Sequence, residues 1–210
     1  MIVSIDGAST DLSVALAEAD GQLVADDAWA SQQRQSAELL PRLVALLEAA
    51  GGRSVADISA IAVGSGPGSF TGLRVAMALG KGLAVGLERP LVGVPSLVAW
   101  LDAEADALAA LARAGAREAF VLVRGGSAPS IVDRDELPLV DGPVVAPAEL
   151  ADAFEIHASR PPRGAASIAR LAARRLADSP AGDDPVTLEP IYVRAPRGVR
   201  EQPTGRVKWL

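Results

Sequence analysis

A strand, a glycine-rich turn and a helix follow one another in residues 58–87, ISAIAVGSGPGSFTGLRVAMALGKGLAVGL. Residues 58–63 are apolar apart from Ser59, as in a strand that is buried on both faces. Helical spacing runs from about Thr71 to Leu87, and Pro90 follows it. The block predicts a buried strand that enters a helix through a tight turn, as in an α/β fold.

The turn itself, Gly64 to Gly72, reads GSGPGSFTG. Glycine permits positive φ and a close backbone approach, Ser69 and Thr71 can cap the free amides of the helix start, and such a start favours anions. The turn lacks the lysine of a Walker loop and has no GxGxxG in register. Gly66, Gly68 and Ser69 are therefore candidates for a vestigial phosphate loop, and composition alone favours a structural turn.

Small residues recur every four positions in the helix after the turn. Two glycines inside one helix need a reason, because each costs about 1 kcal/mol relative to alanine. Close approach of another helix is that reason, whether the neighbour is internal or belongs to another protein. The stripe consists of Gly72, Ala76, Gly80 and Ala84.

The segment before this block predicts three strands and a helix. The strands cover about residues 2–6, 12–17 and 22–27, and the helix covers residues 36–50, ended by Gly51-Gly52. A leucine stripe lies on that helix: Leu39, Leu43, Leu46 and Leu47.

A second candidate site follows the first strand. In actin-like kinases an aspartate here lies near magnesium, and the next small and hydroxyl residues wrap a phosphate. Asp6, Ser9 and Thr10 occupy these positions. An Asx or Ser/Thr turn in a hairpin is the alternative interpretation.

The remaining chain predicts a strand at 91–94, a helix over 97–114, a strand from 119, and helices over 147–154 and 165–176. The order β-β-β-α-β-α predicts a mixed sheet flanked by helices. It is also the order of the lobe that is repeated in the actin-like ATPase superfamily. We expect an N-terminal lobe over 1–96, a smaller lobe over 97–193 and a basic tail over 194–210.

Composition excludes several kinds of site. The 210 residues contain no cysteine and one histidine, His157, which rules out disulfides, thiolate metal sites and paired-histidine metal sites. Aromatic residues make up 3%, too few for a base-stacking platform. We therefore expect no metal and no cofactor.

Charge argues against autonomous tRNA binding. The net charge is −6, although residues 194–210 carry five basic residues and one glutamate, which leaves −10 for the rest. That tail is either a solvated end or a contact for a phosphate backbone. The opening MIVSID lacks a basic region, and no run of about 18 uncharged apolar residues occurs, so a cytoplasmic location without a membrane anchor is expected.

Four segments together closely resemble the TsaB family: IVSIDGASTDLSVAL, QSAELLP, AIAVGSGPGSFTGLRVAMALGKGLA and EPIYVRAP. The match is dense over residues 1–98 and resumes at 188–194. The resemblance implies an actin-like fold and a non-catalytic subunit in the making of threonylcarbamoyladenosine beside the tRNA anticodon. Its partner would be the catalytic subunit TsaD, which carries metal-binding histidines that this chain lacks.

The resemblance also implies a partner surface. The family's dimer surface uses its first two helices, which here carry the leucine stripe and the small-residue stripe. A docking site for the ATPase TsaE, an indirect contact with tRNA, and a homodimer of the chain when alone belong to the same expectation. Two departures are Gln35, where the family often has histidine, and AFVLVRGG in a second lobe that looks shortened.

Two enzymatic functions compete with a subunit role. A small actin-like sugar or metabolite kinase would use Asp6 and the 64–72 turn on ATP, but no adenosine pocket or catalytic aspartate is recognisable in the second lobe. A peptidase is disfavoured, because the chain has no cysteine and no HExxH.

Overall fold

The computed structural model describes residues 1–31, 34–137, 142–157, 159–160 and 162–193. Ten strands and five α-helices are assigned within these residues. The strands are β1 Ile2–Asp6, β2 Asp11–Ala17, β3 Leu23–Ala30, β4 Ala60–Gly64, β5 Leu91–Val94, β6 Ala109–Arg113, β7 Glu118–Val123, β8 Ser130–Asp133, β9 Val144–Val145 and β10 Ser159–Arg160. The helices are α1 Gln35–Ala49, α2 Phe70–Leu87, α3 Ser96–Ala103, α4 Ala148–Ala153 and α5 Gly164–Asp178.

Two five-stranded mixed sheets share one topology. The first has the order β3-β2-β1-β4-β5, and the second has the order β8-β7-β6-β9-β10. In each sheet, the three strands that come first in the sequence pair antiparallel: β1-β2-β3 in the first sheet and β6-β7-β8 in the second. The remaining two strands extend the sheet by parallel pairing from its first strand: β1-β4-β5 and β6-β9-β10. The second sheet therefore repeats the topology of the first, a repeat that the sequence did not reveal. The predicted α/β class, with mixed sheets flanked by helices, is confirmed.

The helices and sheets form alternating layers. On one face of the first sheet, α1 and α2 cover Val3, Ile5, Leu12 and Val63. On the other face, α5 packs its Ile168, Ala169 and Ala172 against Ile2, Ala60 and Val92. Helix α3 contacts α5 and the second sheet, whose far face is covered by α4. The two sheets are thus joined through a shared α3/α5 layer.

The second sheet is the smaller one. Its parallel strands β9 and β10 have two residues each. Between β8 and β9 the described residues contain a short 3₁₀ turn, Arg134–Glu136, where the first sheet has helix α1. The expectation of a shortened second lobe agrees with these lengths, whereas the division at residue 96 stays a prediction.

The predicted helix over 97–114 is wrong. Helix α3 ends at Ala103, and residues 109–113 are strand β6, paired with β7. Ala110 and Ala112 pack towards α3, whereas Ala109 and Leu111 pack towards α4. Burial on two faces with a period of two overrides the helix propensity of alanine and leucine here.

Helix α2 is long and apolar enough, by length and composition alone, to cross a membrane. It also carries Arg74 and Lys81 and packs one face on the first sheet. This packing is that of a core helix beside a sheet.

Candidate functional site

Asp6, the last residue of β1, points away from the expected phosphate site. Side chains alternate along a strand, so Asp6 shares a sheet face with Ile2 and Ser4, the face that α3 and α5 cover. Its Oδ2 accepts a hydrogen bond from Trp100 Nε1 at 2.6 Å. Its Oδ1 accepts from Ser96 Oγ at 2.9 Å and from the Ala8 amide at 3.2 Å.

Glycines enclose the same carboxylate. A Cβ built on Gly64 would lie 2.3 Å from Asp6 Oδ1, and one built on Gly164 would lie 1.9 Å from Oδ2. Burial raises the pKa of Asp6, and the hydrogen bonds from Trp100, Ser96 and Ala8 lower the pKa by less. With both oxygens bonded and enclosed, Asp6 does not fit the magnesium-binding role that its position after the first strand suggested.

The two predicted phosphate loops pack against each other. The Ser69 amide donates to the Ala8 carbonyl at 2.7 Å, and a Cβ on Gly68 would lie 2.0 Å from that oxygen. A Cβ on Gly7 would lie 2.4 Å from the Gly72 carbonyl. These glycines allow backbone to meet backbone, so the loops are at least structural.

The polar groups of the loops are largely bonded within the chain. Ser69 Oγ caps α2 by accepting from the Gly72 amide at 3.2 Å. Ser9 Oγ exchanges two hydrogen bonds with the Asp11 backbone, and Gly66, at φ +87°, is held by Ser96 at the start of α3. The Ser/Thr turn at Ser9 and the structural turn from Gly64 to Gly72 are therefore both present.

A cleft of about 920 Å³ lies beside these loops, between the first sheet and the second. Ser9, Thr10, Gly68 and Ser69 line it, and Asp6 and Gly66 do not. Residues that the sequence analysis did not single out complete the lining, among them Phe70, Arg113, Arg117, Phe120, Glu149 and Tyr192. They come from both halves of the chain, so no local motif marks them.

The small-residue stripe of α2 faces the first sheet. Ala76 is fully buried, and a Cβ on Gly80 would lie 2.3 Å from Val63 Cγ1 of β4. Gly72 meets the Gly7 carbonyl, and Ala84 is 3% exposed. The close neighbour that explains these small residues is thus the sheet of the same chain.

The leucine stripe of α1 is similarly placed. Leu39, Leu43 and Leu47 are at most 1% exposed and belong to the core cluster that contains β2, and Leu46 is partly buried. Because the side chains of both stripes pack inside the chain, they affect binding of a partner only indirectly, through the positions of α1 and α2. Gln35, at the first position of α1, is also buried.

The outward faces of α1 and α2 carry a second set of apolar and small residues. A Cβ built on Gly82 or Gly86 meets nothing within 4 Å, so these helix glycines have no packing reason inside the chain. The set, called here the outer face, comprises Leu40, Val44 and Ala45 of α1 and Ala78, Gly82, Val85 and Gly86 of α2, all exposed. Ala78, Gly82 and Gly86 also recur every four residues, so this second stripe could have been recognised in the sequence.

Among the described residues, no group of three or more His, Asp or Glu side chains could hold a metal ion. His157 lies exposed in a turn. The basic tail, residues 194–210, lies outside the described residues.

Comparison with known proteins identifies a family model. The model described as "TsaD: tRNA N6-adenosine threonylcarbamoyltransferase" matches residues 28–171. The chain is 39% identical over 97 residues to the tRNA threonylcarbamoyladenosine biosynthesis protein TsaB of Escherichia coli, a match that covers 46% of this chain and 41% of that protein. It is 49% identical over 69 residues to the tRNA N6-adenosine threonylcarbamoyltransferase of Solidesulfovibrio magneticus, covering 31% of this chain and 19% of that protein.

The matches thus span less than half the length of these curated relatives. Among solved structures, YeaZ from Pseudomonas aeruginosa superposes with a TM-score of 0.68 at 23% identity, over 91% of this chain and 99% of that one. This likeness shows a common fold.

Proposed function

We propose, from the premise that this chain belongs to the TsaD family of tRNA N6-adenosine threonylcarbamoyltransferases, that it is a TsaB-type subunit of threonylcarbamoyladenosine biosynthesis. In this proposal it catalyses no step itself and supports a TsaD-type catalytic subunit that transfers threonylcarbamoyl to tRNA adenosine. The outer face of α1 and α2 is the surface that binds that subunit.

The observation that carries the proposal is the exposure of Gly82 and Gly86. Each interior helix glycine costs about 1 kcal/mol relative to alanine. No atom of this chain lies within 4 Å of a Cβ built at either position. Close approach by a helix of another chain supplies the missing reason, and Leu40, Val44 and Val85, which are 37–66% exposed, would be covered by the same contact.

The family match supports a TsaD-type chain as the occupant of this surface. The model of TsaD-type proteins matches residues 28–171, a range that includes both α1 and α2. A TsaD-type chain therefore has counterparts of these two helices. Two such helix pairs can pack face to face as a four-helix contact with approximate two-fold symmetry. The same symmetry would allow a homodimer when the chain is alone.

A supporting role is favoured over catalysis by the condition of the candidate site. Asp6 is enclosed by Trp100, Ser96 and two glycines, and the 64–72 loop is bonded to the Ala8 loop. A kinase that uses these groups would have to open both contacts. The kinase alternative is therefore not better supported than a subunit role, although the cleft lies beside these loops.

Three further expectations belong to the same proposal. A TsaE-type ATPase docks on the complex of the two subunits, tRNA is contacted indirectly through that complex, and the chain works in the cytoplasm. The charge of −6 supports the indirect contact with tRNA, because phosphate binding needs a basic surface.

The test is Ala78→Glu, with the TsaD-type subunit of the same organism as partner. A carboxylate buried without a partner in the centre of an interface costs about 3 kcal/mol, which weakens binding by about 100-fold. Size-exclusion chromatography with light scattering should show the one-to-one complex for the wild type and separate subunits for the variant. The chain alone, in the same measurement, reports the homodimer.

Ala148→Glu is the matched control, since Ala148 is also exposed and lies at the start of α4 on the far side of the second sheet. It should bind like the wild type, and circular dichroism should show both variants folded. A folded Ala78→Glu variant that bound with unchanged affinity would remove the outer face from the interface. Threonylcarbamoyl transfer by the purified chain without a TsaD-type subunit would remove the non-catalytic role.

A further inference from the structure

Helix α2 is a basic element of an acidic chain. The chain has a net charge of −6, whereas the helix Phe70–Leu87 contains Arg74 and Lys81 and no acidic residue. Arg74 is exposed and Lys81 is partly exposed. Together with Ala78 and Val85 they have the spacing of residues that lie along one side of a helix. The two cations therefore border the outer face.

Neither cation has an ionic partner in the part of the chain that the structure describes. The ion pairs among those residues involve neither Arg74 nor Lys81. Arg42 of α1 differs, because its Nη1 lies 2.8 Å from Asp27 Oδ2 and its guanidinium carbon lies 4.3 Å from the centroid of a Trp29 ring. The charge of Arg42 is thus balanced inside the chain, and the charges of Arg74 and Lys81 are not.

Arg74 is held in position by aromatic neighbours. Its guanidinium carbon lies 3.8 Å from the centroid of the Phe70 ring, and its Nε donates to the Tyr192 hydroxyl at 3.3 Å. An arginine that is already stacked loses little side-chain freedom when it binds a carboxylate. Its two Nη atoms can then donate paired hydrogen bonds to one carboxylate. The geometry thus prepares Arg74 for an acidic group.

A partner that covers the outer face brings both cations to the edge of an interface. The apolar side chains of that face, such as Leu40, Val44 and Val85, gain free energy when they are covered. A cation that loses water without gaining a counter-charge weakens binding instead, and a like charge opposite it weakens binding further. A partner that fits this surface therefore carries acidic groups where it meets α2.

We propose that Arg74 and Lys81 form the charged rim of the partner surface, and that the TsaD-type subunit meets them with carboxylates. The inference rests on the proposed function, because it names the chemistry of the surface that covers the outer face. Arg74 donates from its Nη atoms to one carboxylate, and Lys81 donates from Nζ to another. Rim charges act mainly on the rate of association, so the two cations speed the encounter of the subunits.

Association rates with the TsaD-type subunit of the same organism, immobilised for surface plasmon resonance, test the sign of the partner's charge. For the wild type the rate should fall about tenfold between about 20 and about 300 mM NaCl, because salt screens opposite charges. At the lower salt concentration, Arg74→Glu and Lys81→Glu should each associate about tenfold more slowly than the wild type, because an attraction becomes a repulsion. Both variants should also lose most of the salt dependence.

Arg174→Glu is the matched control for net charge. Arg174 is exposed on α5, which packs on the opposite face of the first sheet from α2, and its substitution changes the net charge equally. Its rates should stay within about twofold of the wild type at both salt concentrations. Rates of Arg74→Glu and Lys81→Glu that are no lower than that of Arg174→Glu would overturn the proposal.

Lys81→Glu also guards against a local change of structure, because Lys81 forms no hydrogen bond or ion pair with the described residues, whereas Arg74 contacts Phe70 and Tyr192. Circular dichroism should show all variants folded. Ala78→Glu separates the two proposals. If it abolishes the complex while both charge reversals associate like Arg174→Glu, the outer face binds the partner and the acidic rim is wrong. If Ala78→Glu binds with unchanged affinity, both proposals are wrong.

Discussion

Asp6 connects three elements that are distant in sequence. Its carboxylate at the end of β1 accepts hydrogen bonds from Ser96 and Trp100 of α3, and Gly164 at the start of α5 lies against it. The residue therefore holds the shared α3/α5 layer on the first sheet. A catalytic aspartate would need an open side, and the packing of Asp6 leaves none.

This burial has a consequence for stability against pH. An acid whose pKa is raised in the folded state contributes stability that is present below its ordinary pKa, here 3.8, and is lost as pH rises through the raised folded pKa. The difference in unfolding free energy between the wild type and Asp6→Asn should thus shift against the wild type as pH rises above about 4.

Urea denaturation of both proteins at several pH values measures this difference. Asp6→Asn does not titrate at this position, although it has one oxygen fewer to accept hydrogen bonds and starts from a lower stability. Carboxyls whose pKa is lowered, such as Glu38 and Asp57, act in the opposite direction but equally in both proteins. A constant difference across the pH series would show that burial does not raise the pKa of Asp6.

Helix α2 presents small residues on two opposite faces for different reasons. On the inner face, Gly80 lets the helix approach Val63 of β4. On the outer face, Gly82 and Gly86 meet nothing in this chain. The inner face therefore packs in the core of this chain, and only the outer face is exposed to the proposed partner.

Ala76→Glu tests this assignment of the two faces. Ala76 is fully buried, and its Cβ would lie 3.1 Å from a Cβ built on Gly7 of the β1–β2 loop. An unpaired carboxylate there costs several kcal/mol, a large part of the 5–15 kcal/mol that typically stabilises a folded protein. Thermal unfolding followed by circular dichroism should show a variant that is largely unfolded or melts far below the wild type.

Ala78→Glu, two residues away on the exposed face, is the comparison. Surface substitutions usually change stability by about 0.5 kcal/mol or less, so this variant should melt near the wild type. If Ala76→Glu also melted within a few degrees of the wild type, the small-residue stripe would not be part of the internal core.

The whole molecule is tied together by its last helix. Helix α5 follows every strand of both sheets in sequence, yet it packs on the first sheet through Ile168, Ala169 and Ala172. Without α5, the face of the first sheet that carries Ile2, Ala60 and Val92 would be uncovered. The strands of the first sheet all precede those of the second in the sequence. The layer between the sheets combines α3, which precedes the second sheet, with α5, which follows it.

A fragment of residues 1–96, the predicted N-terminal lobe, should therefore not fold cooperatively by itself. It would expose Ile2 and Val92, whose burial contributes about 1.5–3 kcal/mol each, together with the smaller Ala60 and Ala62. Denaturant unfolding of the fragment and of the full chain, with a dye that binds exposed apolar surface, measures the difference. A cooperative transition in the fragment, with no dye binding, would show an independent N-terminal lobe.

Local patterns in the sequence predicted most of the elements. The apolar run before the glycine-rich turn corresponds to β4, the segment with helical spacing after the turn corresponds to α2, and LVGV is β5. Strand β6 was missed, because Ala109 to Arg113 has helix-forming residues and only burial between α3 and α4 makes it a strand. The short β8, β9 and β10 were missed because two to four residues hold no readable period.

By itself the sequence determined the α/β class, the order β-β-β-α-β-α in which elements follow one another along the first part of the chain, and the family resemblance. These rest on periodicity and on motifs within a few residues of one another. Only the tertiary structure decided which side each motif faces. Asp6 turns towards Trp100 instead of the cleft, and the stripe of Ala76 and Gly80 turns towards the sheet. Periodicity defines a face of a strand or helix, but what that face meets depends on residues far along the chain.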